Sequence, residues 1–384
     1  MDFAVRLALL YAGLFTAIGV QTPFLPLWLT AVGLDAPAIG TLLATGTVAR
    51  LIAVPLGTRA ADRFVSPRWA IVIATLAGAG AVTLLGAATH ALWIFCFYAL
   101  ATAAWAIALP LAESYAMRGL PARGKAYGQV RLWGSAAFIA ATLVAGWLSA
   151  LIPPAQIIML IAAGYWLGAA AAWWLEGDEP GRVDAAPPNT AARPGHTAAL
   201  GLVLAASSLV QASHGLFYGF GALHWSAAGF SGAAIGALWA VGVGVEITLF
   251  ACAGRLPRAL ASPVALLALG AASAVLRWSV MAFDPATPFL FMLQALHGLS
   301  FGATHLGAVQ FVARAAAPRR AASTQGLLAW SNGAAMAAAS AVSGYLYESY
   351  GASGYGAMAL LAVAGGACAV CARRFTRVIA GDEA

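Results

Sequence analysis

Long apolar runs alternate with short polar loops along nearly the whole chain. About 20 consecutive apolar residues cross the hydrocarbon core of a bilayer as an α-helix, and twelve runs reach roughly that length. One long polar stretch, 176–197, is rich in Pro, Gly and charge and predicts a flexible cytoplasmic linker. The predicted membrane helices are 5–31, 37–60, 69–89, 91–117, 127–151, 155–175, 198–223, 231–253, 262–282, 287–313, 323–347 and 351–372. The pattern therefore predicts an all-α polytopic membrane protein with two six-helix domains, 1–175 and 198–384.

The composition excludes a soluble domain. Only 9% of the residues are charged, 62% are hydrophobic, and the mean hydropathy is +0.85. The net charge of +7 does not indicate nucleic-acid binding, because the basic residues lie in short loops between apolar runs rather than in one patch. We expect a lipid bilayer around the protein and no nucleic-acid partner.

The basic loop residues lie on one membrane face. They follow predicted helices 2, 4, 8, 10 and 12, as Arg59, Arg63, Arg68, Arg118, Arg123, Lys125, Arg255, Arg258, Arg314, Arg319, Arg320, Arg373, Arg374 and Arg377. The loops of the opposite face carry only Asp35, Asp284 and Glu348 as charged residues. The positive-inside rule then places both termini and the linker in the cytoplasm, and we expect a bacterial inner membrane.

The two predicted domains resemble each other at one fixed offset along the chain, at which Gln129 matches Gln325. Parallel repeats of six helices build a large class of transporters that bind substrate where the halves meet. At the same offset Arg50 falls on Glu246, so two equivalent positions inside apolar helices carry opposite charges.

Glu113 and Arg131 are charges inside predicted helices 4 and 5. An ionisable group at membrane depth is costly, so its default interpretation is a functional site with a partner. One interpretation is a structural ion pair between the two helices, although buried pairs add little stability. The other is that Arg131 exchanges Glu113 for an anionic or hydroxyl-bearing substrate, because a guanidinium binds carboxylates bidentately. Glu246 likewise is either a permanently neutral group or a proton carrier.

Polar and aromatic residues recur at helical spacing on three predicted helices. These stripes are Gln21, Phe24 and Trp28 on helix 1, Gln211, His214 and Tyr218 on helix 7, and His297, Ser300, Thr304 and His305 on helix 10. We expect them, with Trp105, to face a substrate cavity, where imidazoles can relay protons because they titrate near neutrality. The alternative is ordinary packing for each aromatic residue and a satisfied core position for each histidine.

The segment Gly57-Thr-Arg-Ala-Ala-Asp62-Arg63 after helix 2 resembles the cytoplasmic loop motif of the major facilitator superfamily. Twelve helices, a central linker and an internal repeat extend that resemblance over essentially the whole chain. It implies that Gly57, Asp62 and Arg63 form a gating motif that latches one conformation. In the second half Arg258 replaces the aspartate, so such a latch is one-sided.

Within that superfamily the chain is similar to the lactose-permease-like symporters. The similarity lies in 23–29, Pro-Phe-Leu-Pro-Leu-Trp-Leu, and in 127–134, Tyr-Gly-Gln-Val-Arg-Leu-Trp-Gly. It implies a substrate role for Arg131 with Glu113, and for Phe138 with the nearby Trp133, where that group stacks an aromatic ring on its sugar.

The same similarity implies a proton-coupling role for three residues of the second half, which are Glu246, Arg277 and His297. One position departs from the pattern, because Ser300 stands where that group has its proton-carrying glutamate. A proton would then have to use His297, His305, Glu246 or Glu113, and Arg277 would either set the pKa of these groups or neutralise Glu246.

The motifs Ser213-His214-Gly215, His224-Trp225 and Leu276-Arg277-Trp278 resemble the 3-phenylpropionate permease family of this branch, as does 294–305. The resemblance implies a monomeric secondary transporter that moves a small organic solute by alternating access together with protons. An aromatic carboxylate such as 3-phenylpropionate suits an arginine beside Trp and Phe. The alternatives are a sugar or nucleoside symporter, then a drug exporter, then a non-transporting receptor or membrane enzyme.

Signals of soluble enzymes are missing from the sequence. It contains no nucleophile elbow, phosphate-binding loop, zinc-protease motif or dinucleotide fingerprint, and its histidines are too scattered for a metal site. We expect no catalytic activity, no cofactor and no metal.

Overall fold

The computed structural model describes residues 2–64, 66–177, 196–257, 262–315 and 321–381. Its helices form twelve segments, and the described residues contain no strand. Ten segments are single helices, namely α1 Phe3–Ala31, α2 Ala36–Phe64, α3 Pro67–Ala87, α4 Ala91–Gly119, α5 Tyr127–Ser149, α6 Ile157–Trp173, α8 Gly232–Cys252, α9 Pro263–Met281, α11 Ala321–Tyr350 and α12 Tyr355–Gly381. An α-helix satisfies its own backbone hydrogen bonds, which is why apolar runs in lipid adopt it. The predicted all-α polytopic fold is confirmed.

Two segments contain a π-helical turn. α7 runs from His196–Ala212 through the turn Phe217–Gly221 into Ala222–Ala227, and α10 runs from Thr287–His297 through Gly298–Ala303 into Thr304–Ala315. Each π turn adds a residue to one helical turn and so rotates the side chains after it. By length and hydropathy, ten stretches of the described helices can cross a membrane. α10 is not among those ten, and α11 and α12 count as one stretch.

The internal repeat appears in how two equivalent helices begin. At α3, Ser66 Oγ accepts a hydrogen bond from the backbone N–H of Trp69 over 3.4 Å, and Pro67 is the first helical residue. At α9, Ser262 Oγ accepts one from Ala265 over 3.2 Å, and a proline follows it too. A serine cap followed by proline is a strong start signal for a helix, so both halves use the same local chemistry.

Helix pairing also repeats between the halves. α1 packs against α5 and α6, and α3 packs against α4 and α6. In the same relationship, α7 packs against α11 and α12, and α9 packs against α10 and α12. The shared pairing supports the interpretation of two six-helix repeats, each built around its first and third helix.

Small residues allow the closest approaches between helices. A Cβ at Gly13 of α1 would lie 2.6 Å from the Cα of Gly168 on α6, and a Cβ at Gly19 would lie 2.6 Å from the carbonyl oxygen of Phe138 on α5. Membrane helices gain stability from such close packing because lipid offers no hydrophobic drive between them. α1 is thereby held against both neighbours.

Contacts among the described residues divide the chain into two compact units. One comprises Met1–Val183 with Tyr218–Ala240, and the other comprises Asp184–Phe217 with Val241–Ala384. The predicted division at 1–175 and 198–384 stays a prediction, and most of the predicted linker, 178–195, lies outside the described residues.

Candidate functional site

Arg131 and Glu113 form an ion pair between α5 and α4 in the first unit. Arg131 Nε donates to Glu113 Oε1 over 3.4 Å, and the hydroxyl of Tyr127 donates to Glu113 Oε2 over 2.7 Å. The side chains of Arg131 and Glu113 are 26% and 38% exposed, so neither charge is fully removed from water. The carboxylate is therefore held by two donors, one of which is neutral, and stays accessible.

Two aromatic rings of α1 surround the Arg131 guanidinium. Its Cζ lies 4.1 Å from the ring centre of Phe15 and 5.3 Å from that of Tyr11. Gly134 makes room for this arrangement, because a Cβ there would lie 3.0 Å from the Phe15 ring and 3.1 Å from Arg131 Nη1. Cation–π contacts of this kind fix a guanidinium without neutralising it. We call Tyr11, Phe15, Glu113, Tyr127 and Arg131 the Arg131 cluster.

A cavity of about 360 Å³ lies in the same unit. It is lined by residues of α1, α2, α4 and α6, which are Leu14, Ile18, Gln21, Thr22, Arg50, Val54, Thr102, Trp105, Ala106, Leu109, Pro110 and Tyr165. Tyr165 donates a short hydrogen bond to Gln21 Oε1, and the rings of Trp105 and Tyr165 lie 4.2 Å apart. We call it the Arg50 cavity. It contains two of the predicted substrate residues, Gln21 and Trp105.

The second unit holds a buried polar cluster around Arg277 of α9. Its Nη1 lies 3.0 Å from His297 Nδ1, and its Nη2 donates to Gln294 Oε1 over 2.7 Å. The guanidinium also lies 4.5 Å from the ring of Phe217 and 4.4 Å from that of Trp278. Arg277 has no exposed surface, and Gln294 and His297 are almost fully buried. We call this group the Arg277 cluster.

His214 of α7 joins this cluster from a third helix. Its Nε2 lies 3.1 Å from Ser300 Oγ, and its ring centre lies 5.4 Å from that of His297. Trp278 of the cluster makes two further contacts. Its Nε1–H donates to Ser213 Oγ over 2.9 Å, and its ring stacks on that of Tyr355 with ring centres 5.5 Å apart. Gln211 also faces α10, because its Nε2 donates to the Phe301 carbonyl over 3.4 Å.

The hydrogen-bond partners of His297 and His214 indicate which ring nitrogen of each carries a proton. Arginine can only donate, so His297 Nδ1 must accept, and the ring proton of a neutral His297 then sits on Nε2. His214 Nδ1 faces the carbonyl oxygens of Val210 and Gln211, which only accept, so Nδ1 carries a proton, and Nε2 is hydrogen-bonded to Ser300 Oγ. The contact with Arg277 therefore requires a neutral His297.

The polar residues on and after the π turn of α10 meet two different environments. Ser300 and Thr304 lie in the buried interior with His297, whereas His305 is exposed and its ring stacks on that of Phe301 with ring centres 6.2 Å apart. The same turn brings α10 close to α8, where a Cβ at Gly302 would lie 3.3 Å from Glu246 Cγ. The helical stripe expected from regular spacing is thus divided between two environments.

Other predicted substrate residues lie apart from these clusters. Trp133 is 61% exposed on α5, and Phe24 and Trp28 of α1 are buried in the core. Phe138 is buried where α5 approaches Gly19, and Tyr218 stacks on Trp239 at 5.9 Å. A substrate role for Phe24, Trp28, Trp133, Phe138 and Tyr218 stays a prediction.

The gating motif is described in part. Gly57 of α2 packs directly against Ile107 of α4, whose side chain occupies the space that a Cβ at Gly57 would need. Arg63 is exposed in the last turn of α2, and the side chain of Asp62 lies outside the described residues. A latch role for Gly57, Asp62 and Arg63 remains a prediction.

Several residues of these clusters were missed by sequence reasoning. Tyr11 and Phe15 stand one helical turn apart on α1, and Gln294 stands one turn before His297, so spacing alone carried a signal for each. Tyr127 and Tyr165 lie in apolar runs where an aromatic residue is unremarkable. Their roles depend on helix packing, which a single sequence does not show.

The known proteins that match this chain in sequence are a transporter and a permease. The MFS_1 like family matches residues 4–355. The chain is 30% identical over 370 residues to the "Probable 3-phenylpropionic acid transporter" of Escherichia coli (strain K12), covering 93% of this chain and 94% of that protein. It is 30% identical over 355 residues to the maltose permease of Geobacillus stearothermophilus, covering 88% and 86%.

Solved structures show the same fold. A mutant of the nucleoside transporter NupG matches with a TM-score of 0.83 at 18% identity, over 97% of this chain and 100% of that one. At that level of identity the likeness concerns architecture alone.

Proposed function

The chain belongs to the MFS_1 like family, and from this premise we propose that it is a proton symporter for an aromatic carboxylate such as 3-phenylpropionate. It is a multi-pass membrane transporter of the major facilitator type rather than an enzyme, and its substrates are small molecules. We place it in a bacterial inner membrane with both termini in the cytoplasm, on the distribution of Lys and Arg in its loops.

The Arg131 cluster is the observation that carries the carboxylate proposal. A guanidinium that is only partly shielded, seated on two aromatic rings and paired with one carboxylate, suits exchange of that carboxylate for another. In this proposal the substrate displaces Glu113 from Arg131. The printed name of the Escherichia coli relative supports a phenyl acid as the displacing group.

Proton coupling is proposed for the Arg277 cluster. A proton can reach His297 Nδ1 only after the Arg277 guanidinium has left that atom, because an Arg N–H and an imidazole N–H cannot both donate across one contact. Protonation of His297 and displacement of the Arg277 guanidinium are then linked events. Glu246, which approaches the π turn of α10, is the second proposed proton site.

The proposal is tested by reconstituting the purified protein into vesicles and imposing a pH gradient. We expect labelled 3-phenylpropionate to accumulate, a protonophore to abolish accumulation, and Arg131→Gln to reduce uptake to background. Lys125→Gln is the matched control, because Lys125 is a half-exposed loop cation paired with Asp2. Uptake by Arg131→Gln with an unchanged KM would contradict the role of Arg131, and uptake insensitive to the gradient would contradict symport.

A sugar or nucleoside symporter is the second candidate, favoured by the likeness to a maltose permease. The neutral hydrogen-bonding groups of Gln21, Thr102 and Tyr165 in the Arg50 cavity suit hydroxyl-rich ligands as well. Competition separates the two candidates. Excess maltose or uridine should leave 3-phenylpropionate uptake unchanged if the first candidate is correct, and counterflow of labelled maltose would favour the second.

A further inference from the structure

Arg50 is a cation inside an apolar helix and has no role in the transport cycle proposed above. Its side chain lines the Arg50 cavity, and its Nη2 donates to Thr47 Oγ1 over 3.0 Å. Among the residues that the structure describes, no carboxylate lies within ion-pair distance of it, and none lines the cavity. This differs from Arg131, whose charge is already balanced by Glu113.

The surroundings of Arg50 combine hydrogen-bonding groups with an aromatic wall. Gln21 and Tyr165, which line the cavity with Arg50, are hydrogen-bonded to each other through the Tyr165 hydroxyl and Gln21 Oε1. Beside this polar patch lies the ring of Trp105, which is 6% exposed and packs on Tyr165. The Nε1 atom of Trp105 is buried and has no hydrogen-bond partner among the described residues.

The rest of the lining is largely apolar and includes Leu14, Ile18, Val54 and Leu109. A volume of about 360 Å³ falls within the range of ~300–1,000 Å³ typical of small-ligand sites. A cation without a counter-ion, an aromatic wall and an apolar lining together select for a small monocarboxylate with an aromatic ring.

We propose that the Arg50 cavity binds the carboxylate substrate, with Arg50 as its anion anchor and Trp105 as its aromatic wall, before the substrate competes with Glu113 for Arg131. The inference rests on the proposed aromatic-acid function and adds a binding step to it. The cavity reaches Leu109 and Pro110 of α4, one helical turn before Glu113, so a bound acid lies next to the Arg131 cluster. Arg50 then governs binding, and Arg131 governs the later step of transport.

The test measures equilibrium binding of 3-phenylpropionate and of its neutral amide to purified protein in detergent. We expect Arg50→Gln to weaken acid binding roughly tenfold to a hundredfold, as loss of a charged hydrogen bond does, with little change for the amide. Arg50→Lys should retain part of the affinity. Arg131→Gln should still bind the acid while failing to transport it.

Arg59→Gln is the matched control, because Arg59 is an exposed cation of the same helix that does not line the cavity. Trp105→Leu gives an independent readout, since it should weaken binding of 3-phenylpropionate more than binding of hexanoate. Thermal unfolding of each variant shows whether it is folded.

The outcomes separate the two proposals. If wild-type protein binds the acid and a folded Arg50→Gln binds it equally well, the Arg50 site is wrong while the proposed function stands. If wild-type protein neither binds nor transports any aromatic acid, the proposed function fails and the inference fails with it.

Discussion

The guanidinium of Arg277 donates to His297 Nδ1 over 3.0 Å, with both side chains buried between α9 and α10. This contact requires a neutral imidazole, because a guanidinium only donates hydrogen bonds and His297 Nδ1 must therefore accept. A transporter that loads a proton on His297 must therefore first separate the two side chains. The contact therefore links the charge state of His297 to the position of the Arg277 side chain.

His297→Gln removes the titratable group of that contact while keeping a polar side chain. If His297 carries the proton, we expect the variant to exchange labelled against unlabelled 3-phenylpropionate at near wild-type rates but to lose accumulation driven by a pH gradient. The measurement compares counterflow with gradient-driven uptake in the same vesicles. His90→Gln is the control, because His90 is exposed at the start of α4 and belongs to neither cluster. Wild-type accumulation by His297→Gln would contradict the proposal.

Ser300 holds His214 by a hydrogen bond between two fully buried side chains. Ser300→Ala removes the hydrogen-bond partner of His214 Nε2, so we expect the free energy of unfolding to fall by about 1 kcal/mol or more. The measurement is thermal unfolding in detergent. Ser207→Ala is the matched control, because Ser207 is equally buried on α7 and its Oγ has no hydrogen-bond partner among the described residues. Ser207→Ala should leave the stability unchanged or raise it slightly. Equal losses of stability in both variants would contradict a stabilising hydrogen bond between Ser300 and His214.

Much of the fold was predictable because it depends on local composition. Apolar run length located the twelve helices, and the fixed offset between the halves indicated their repeat, which recurs in the Ser-Pro starts of α3 and α9. The pairing of Glu113 with Arg131 was also predictable. Two opposite charges on neighbouring apolar helices have few other ways to offset their desolvation.

The rest of the site depends on geometry that periodicity does not encode. His305 stands eight residues after His297, which is about 80° around a regular helix of 3.6 residues per turn, and it is exposed whereas His297 is buried. Arg50 was noted only as the counterpart of Glu246. Its cavity requires Gln21, Trp105 and Tyr165 from three other helices, and contacts so distant in sequence leave no pattern within one segment.

Gly13 and Gly168 form a close contact between α1 and α6, so the pair tests how the first unit is held together. Gly13→Ala places a methyl group 2.6 Å from the Gly168 backbone, and we expect overpacking to cost about 1–3 kcal/mol of stability. Gly80→Ala on α3 is the control, because its new methyl group meets nothing within 4 Å and alanine favours helix. Thermal unfolding compares the stability of the two variants. An unchanged stability of Gly13→Ala would show that α1 and α6 can move apart without loss of stability.

Tyr127 stabilises the Glu113 carboxylate through the oxygen that Arg131 does not contact, and its removal tests the exchange proposed for the substrate. Tyr127→Phe deletes the 2.7 Å hydrogen bond to Glu113 Oε2, leaving the carboxylate held by Arg131 alone. Because Glu113 and the substrate compete for one guanidinium, loosening Glu113 should favour the substrate and lower the KM for 3-phenylpropionate severalfold. Tyr115→Phe is the control, since that hydroxyl donates to the Glu176 carbonyl and not to Glu113. A higher KM for Tyr127→Phe would mean that Glu113 helps to bind the substrate instead of competing with it.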